Sequence, residues 1–350
     1  MSSILVGNIS VGGDAPMRIN CNIGCNVREQ YQEELCKILA IKESGVVPDF
    51  MMDLSLVSLE TPLYKTIIDE LNIPVGTVLS YLPFDKECGL DWECVKQYLL
   101  QLSKNGIAFV TIHFTADHDL LDEAKKNRKV PCTSRGGAMV LYDSILNNRT
   151  RNLYREHIDE IVSIAQQNDI AISLGTTFRS SNVFEACDSV HLEETRRQME
   201  MCRYLQSKGV KVIVENSGHI GLDKLEEHAQ RLQKFDAPIM PLGPIVCDNA
   251  VGEDHITAAI GGAFAGYWNA AHILNCVTRN EHSESAITVD VILEAIKTTK
   301  IVAHCINLTK GIPDDWNQEQ KIDAKRAEEY TCIVGEHCTR CKNVCPLKMV

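Results

Sequence analysis

Residues 210–244, VKVIVENSGHIGLDKLEEHAQRLQKFDAPIMPLGP, hold the pattern that decides the fold. Two short apolar runs, VKVIVEN (210–216) and PIMPLGP (238–244), flank a helical stretch at 222–234. Strands that are apolar throughout are covered on both faces, and a helix between two of them makes them parallel neighbours. The unit recurs in both directions. RINCNIG (18–24), DFMMDLS (49–55), PVGTV (74–78), AFVTIHF (108–114) and IAISLG (170–175) precede it, and HILNCVT (272–278) follows. Helical patterns follow the other strands at 27–44, 60–71, 91–105, a long excursion with helical stretches up to about residue 167, then 188–208, 254–268 and 287–310, with Asp91 as an N-cap. Eight strand-then-helix units over roughly 300 residues predict an α/β fold, a closed (β/α)8 TIM-type barrel, rather than an open doubly wound sheet. No GxGxxG follows the first strand, so the dinucleotide-binding fingerprint is missing.

The expected organisation is an N-terminal segment at 1–16, a barrel at 17–310, and a polar linker with a short helix at 311–350 that ends in a Cys-rich tail. A formal charge of -12 without any block of Lys or Arg argues against a nucleic-acid or membrane-surface binder. No apolar run reaches the length of a membrane span and no signal peptide is read, so a cytoplasmic location is the default. Fifteen cysteines in so large a chain are not a secreted disulfide framework. Most, Cys36, Cys94, Cys187 and Cys202 among them, are expected to be small buried apolar residues, a usage that suits life without oxygen.

A barrel places its chemistry at the C-terminal ends of its strands. Those ends carry Asn20 and Asn22, Asp53 and Ser55, Tyr81, His113, Arg179, Glu215 and His219, then Asp248, Glu253, Asp254 and His255, then Cys276 and Glu281. His219, directly after Gly218, and His255, three residues after Gly252, form a candidate pair for one divalent metal (Zn, Fe or Co), or else cap helices. SRGGA (134–138), with Ser134, Arg135 and Gly136, is a phosphate cradle at a helix start, or only a turn. Glu215 is either a general base or one half of a structural ion pair. The tail EHCTRCKNVCP (336–346) spaces Cys338, Cys341 and Cys345 as a ferredoxin-type cluster motif does. A zinc site completed by Cys332 or His337 fits that spacing equally well.

With rim and tail together, the chain resembles the thiamine pyrimidine synthase (ThiC) family, including its 5-hydroxybenzimidazole synthase (Bza) relatives. INCNIG, MMDLS, PVGTVLSYL, TIHFT, SRGGA, ISLGTTFR, VIVENSGHIGL, PLGPIVCDNAVGEDHITAAIGGAFAG, CVTRNEH and IVAHCINLTKG carry the resemblance, in order, from about residue 17 to the end. It implies a (β/α)8 barrel, a [4Fe–4S] cluster on Cys338, Cys341 and Cys345, and reductive cleavage of S-adenosylmethionine (SAM) with an electron from flavodoxin or ferredoxin. The resulting 5′-deoxyadenosyl radical rearranges 5-aminoimidazole ribotide to hydroxymethylpyrimidine phosphate or to 5-hydroxybenzimidazole. The resemblance also implies metal ligands at His219 and His255, and substrate contacts at Asn22, Met52, Tyr81, His113, Ser134, Arg135, Gly136, Arg179, Glu215 and Asp248. Glu215, Asp248 and Cys276 are the expected catalytic groups. In dimers of the family the Cys segment caps the partner's site, so a homodimer or a heterodimer with a paralogue is expected.

The chain departs from the thiamine enzymes at SLGTTFRSS (173–181), where they read SLGDGLRPG, and at NSGH (216–219), where they read GPGH. It also has Glu253 in GEDH in place of a tyrosine, and three residues rather than four between the last two cysteines. Unpaired polar groups at a recognition site shift binding by ~1–3 kcal/mol each. The expectation is therefore a divergent paralogue, with the benzimidazole branch of cobamide synthesis leading and the thiamine branch second. A non-catalytic partner subunit is the reading from another class. A zinc amidohydrolase-like barrel ranks last, because HxH is missing from the first strand.

Overall fold

The computed structural model describes residues 2–284, 286–332 and 338–349, so His337 lies outside the described residues. A small hairpin comes first: β1 (Ile4–Val6) pairs antiparallel with β2 (Ile9–Val11). The barrel strands follow as β3 (Arg18–Ile23), β4 (Phe50–Asp53), β5 (Val75–Val78) and β6 (Phe109–Ile112). β7 (Ala171–Leu174), β8 (Val212–His219), β9 (Ile239–Ile245) and β10 (Ile273–Asn275) complete it. They form one eight-stranded sheet in the order β10-β3-β4-β5-β6-β7-β8-β9, each ladder parallel, as the apolar runs predict.

The last seam, between β9 and β10, has no regular ladder among the described residues. Pro241 and Pro244 bring no N–H to β9. The seam is held instead by the His272 amide donating to the Ile239 carbonyl at 2.8 Å and by Asn275 Nδ2 donating to the Pro241 carbonyl at 2.9 Å.

Side chains alternate across each strand, so every strand feeds two cores. Cys21, Met51, Val75, Val110, Ile172, Val214 and Ile239 pack outward into the helical layer. Phe50, Met52, Phe109, Ala171, Ile213, Met240 and Ile273 fill the barrel, and Val6 and Val11 of the hairpin join them. The stretch expected to be a plain N-terminal segment thus floors the barrel, with each buried valine contributing about 1.5–3 kcal/mol. Gly76 makes room there, since a Cβ on it would lie 2.3 Å from the Phe109 ring. A closed floor leaves the C-terminal mouth as the open end.

The helix Asp254–Tyr267 lies so close to β9 that a Cβ on Gly261 would sit 1.9 Å from the Pro244 carbonyl oxygen. Gly261→Ala is expected to force this helix off the sheet, destabilising the protein by about 1–3 kcal/mol or more. Gly262→Ala, whose Cβ would meet the flexible Leu274 side chain at 3.3 Å and Val302 at an ordinary 3.9 Å, should be close to neutral in the same thermal melts.

The polar segment after residue 310 is more ordered than a linker with a short helix. It forms a helix at Pro313–Glu329, with proline at its first position. His304 of the preceding helix (Val289–Thr309) bonds Asp315 at 2.6 Å and Glu319 at 2.9 Å, and Trp316 Nε1 donates to the Leu308 carbonyl. Among the described residues no helix is long and apolar enough to cross a membrane. Of the four cysteines expected inside, only Cys202 is buried; Cys187 is half-buried, and Cys36 and Cys94 are exposed.

Candidate active site

The mouth of the barrel opens into a cavity of about 330 Å³. Nine of the sequence-predicted residues line it: Asn22, Met52, Tyr81, His113, Ser134, Arg135, Arg179, Glu215 and Glu281. They come from separate strand ends and loops and meet only because the barrel closes.

The helix Arg135–Leu146 aims its N-terminus at this space, capped by Ser134, whose Oγ accepts from the Gly137 amide at 3.2 Å. The same Oγ lies 2.9 Å from His113 Nε2. His113 wedges between two glycines, where a Cβ on Gly136 or Gly175 would come within 2.5 and 2.7 Å of its ring. Gly136 thus serves the site by close approach and does not line the cavity itself. Burial, with the Arg179 guanidinium adding to it, drives His113 down to about 3, so the imidazole is neutral. Arg135 lies over the Tyr81 ring at 5.9 Å and donates to Asn26 Oδ1 at 3.1 Å.

Across the cavity, Glu215 Oε1 accepts from Thr111 Oγ1 at 2.6 Å and from Ser173 Oγ at 2.8 Å. Burial pushes its carboxyl above the usual range, opposed by these two hydroxyls and by Arg179. Thr111 and Ser173 are not found by inspecting strand ends, although alternation signals them: Thr111 shares the inward face of β6 with His113. Asn20 and Asn22 are linked by a 2.8 Å hydrogen bond, and Asn20 donates to Asn275 at 2.7 Å.

The remaining predicted residues stand apart from this cavity. His219 ends β8, and its Nδ1 meets Asp248 Oδ1 at 2.7 Å, while Asp248 Oδ2 accepts from the Val183 amide. His282, which the sequence does not single out, stacks edge-on against His219 at 5.0 Å and lines the cavity. Its Nδ1 is 3.2 Å from Asp254, the first residue of the helix that carries His255. His255 Nδ1 is buried without a hydrogen-bond partner, 3.8 Å from Glu253 Oε2.

The donors suit a metal as far as they go. Asp248 occupies His219 Nδ1 and leaves Nε2 free, and His255 holds an unpartnered buried nitrogen. Among the described residues no group of three or more His, Cys, Asp or Glu is drawn together as a metal site.

Cys276 is buried beside the first cavity, in a second one of about 220 Å³ that shares Asn22, Arg135 and Glu281 with it, and its contact raises the Cys21 thiol. Asp53 and Ser55 face away from the mouth: Asp53 accepts from Ser55 N and Oγ and from Tyr64 N, so it caps the helix Leu63–Leu71. Cys338, Cys341 and Cys345 are half-buried free thiols on the chain end. A short turn (Lys342–Val344) separates the last two, with the Val344 amide bonded to the Cys341 carbonyl at 3.0 Å. Three free thiols with no competing partner among the described residues fit a cluster that leaves one iron open.

The chain is similar to known proteins over most of its length. The radical SAM ThiC family matches residues 4–332. The chain is 31% identical to the phosphomethylpyrimidine synthase of Carboxydothermus hydrogenoformans, over 91% of this chain and 76% of that one. The phosphomethylpyrimidine synthase of Clostridium tetani is 30% identical, over 97% and 79%. That of Thermotoga sp. (strain RQ2) is 33% identical, over 90% and 76%. A dihydropteroate synthase of Xanthomonas albilineans superposes with a TM-score of 0.45 at 9% identity, covering 86% of this chain and 98% of that one, too distant to carry an argument.

Proposed function

The chain belongs to the radical SAM ThiC family, and from that premise we propose that it carries out the SAM-dependent radical rearrangement of 5-aminoimidazole ribotide. The observation that carries the reading is the single cavity that joins an anion cradle to a half-buried carboxylate. The helix N-terminus, Ser134 and Arg135 hold the phosphate. Met52 and Tyr81 flank the imidazole, with Asn22, neutral His113 and Arg179 fixing its orientation. Glu215, held by Thr111 and Ser173, takes the exocyclic amine. The walls of the cavity limit solvent access to the reactive intermediates.

Cys338, Cys341 and Cys345 would hold a [4Fe–4S] cluster, which when bound supplies an open iron for SAM and the electron that cleaves it. His219 and His255 would hold a divalent metal (Zn, Fe or Co), with Asp248 fixing the His219 ring. Asp248→Asn is expected to weaken metal binding about 10–100-fold, read by titrating the apoprotein with Zn²⁺. The reductant is a small electron carrier such as flavodoxin or ferredoxin, and a dimer would set one protomer's tail over its partner's cavity.

Among the two products, hydroxymethylpyrimidine phosphate is the better supported. The relatives are phosphomethylpyrimidine synthases. The main departure also leaves the cavity's chemistry largely alone, because the Thr176 hydroxyl turns to Glu194 at 2.8 Å. The second reading, 5-hydroxybenzimidazole, keeps one observation in its favour: Glu253 puts a carboxylate 3.8 Å from His255. A purely non-catalytic partner subunit is disfavoured by the retained cavity and thiols.

One experiment separates the three. The cluster is reconstituted anaerobically; 5-aminoimidazole ribotide, SAM and dithionite are added, and products are identified by mass spectrometry. The pyrimidine phosphate supports the first reading and the benzimidazole the second. Protein that binds no iron, shows no ~400 nm absorption of an iron–sulfur chromophore and cleaves no SAM is a partner subunit.

A further inference from the structure

Behind the cavity wall, outside the barrel, the helix Ser189–Ser207 buries a carboxylate that no part of the mechanism uses. Glu194 is 0% exposed and has no cation against it among the described residues. Its partners are four donors. Oε1 accepts from Thr115 Oγ1 at 2.8 Å and the Thr177 amide at 2.6 Å; Oε2 accepts from Thr176 Oγ1 at 2.8 Å and the Phe178 amide at 2.7 Å. Burial raises the carboxyl and these donors oppose the rise. A carboxylate taken wholly out of water is retained only where its acceptors are filled, and here all four donors belong to two loops at the barrel mouth.

Those loops carry the site. One runs from β6 through His113 to Thr115, the other from β7 through Thr176 to Arg179. They meet at the His113 ring, which leaves no space for a Cβ on Gly175. Arg128 fastens the second loop from below, donating to the Phe178 carbonyl at 2.6 Å while paired with Asp188 at 2.6 Å. Among the described residues the Arg179 guanidinium has only a long 3.4 Å hydrogen bond, to the Thr176 carbonyl, so its aim follows the backbone that Glu194 pins.

We infer that Glu194 is a positioning residue that sets Arg179 and His113 at the spacing the nucleotide needs. The inference rests on the reading of the cavity as a ribotide site. Glutamine is the same size but offers one acceptor and one N–H₂ group, which would point at donors already facing that position. The second loop must then give way.

The test is Glu194→Gln in the reconstituted full-length protein, with SAM and dithionite, following KM and kcat for 5-aminoimidazole ribotide. A lost positioning group raises KM about tenfold or more with kcat little changed, because Arg179 and His113 bind the substrate and transition state alike. Thr115→Val, which removes one donor without altering shape, should shift KM in the same direction by less and guards against a Glu194→Gln protein that fails to fold. A lowered melting temperature with KM unchanged in both variants overturns the inference. If the wild-type protein neither binds nor converts the ribotide, the functional reading falls, and the positioning role is judged on hydrogen exchange at the Thr177 and Phe178 amides: faster exchange in Glu194→Gln sustains it, unchanged exchange refutes it.

Discussion

Cys341→Ala should yield a folded protein that holds no cluster iron and cleaves no SAM. The three tail thiols are free, and losing the middle one leaves two, too few to hold a cluster at this chain end. Stability should hardly move, because Cys341 belongs to neither large core and half-exposed substitutions away from such features shift stability by about 0.5 kcal/mol or less. Iron content, the ~400 nm band of an iron–sulfur chromophore and 5′-deoxyadenosine release check the loss, and a thermal melt checks the fold. Retained iron in Cys341→Ala would remove the tail from the mechanism. Mixing this variant with one defective at Glu215 also tests the dimer: random exchange should restore up to about a quarter of the activity if the tail works in its partner's site.

Glu215→Gln is the second large effect expected, a fall in kcat/KM of about a hundredfold or more. The carboxylate sits in a buried cavity with two hydroxyl donors, and the amide keeps its shape without its charge. The pH profile gives an independent check. Burial raises Glu215 above the ordinary carboxylate range, so the ionised form is lost as pH falls through that raised value. Wild-type activity should therefore decline on the acid side earlier than a solvent-exposed glutamate allows. In Glu215→Gln that acid limb should vanish and leave a low, flat rate. An unchanged acid limb would assign it to another group.

Much of this architecture is legible in the sequence. Every barrel strand coincides with a mainly apolar run, because parallel strands covered on both faces are built largely from apolar residues. Asp91 caps its helix as expected, its side chain accepting from the Cys94 amide at 2.9 Å. The hairpin is less visible: its strands are three residues each, though Gly7–Asn8 between ILV and ISV is a two-residue turn signal.

At the rim, residue type alone misleads at Asp53. With Phe50 and Met52 inward, alternation turns Asp53 outward to a helix start. Glu194 is invisible for a different reason. It lies in mid-helix among other charges, and only the folded barrel brings it to Thr115, 79 residues away in sequence. His282 sits in CVTRNEH without standing out, since its closeness to His219 exists only across two strand ends.

The hairpin floor also bears on how such a barrel is inherited. The strand pattern alone would place the domain's edge at residue 17, yet Val6 and Val11 complete the interior packing of Phe50, Phe109 and Ile213. A recombination event that carried only the eight strands into a new gene would deliver an unplugged tube. The heritable unit is therefore the barrel together with its stopper, and a lineage remodelling its mouth must keep residues 4–11 in register with the strands they close.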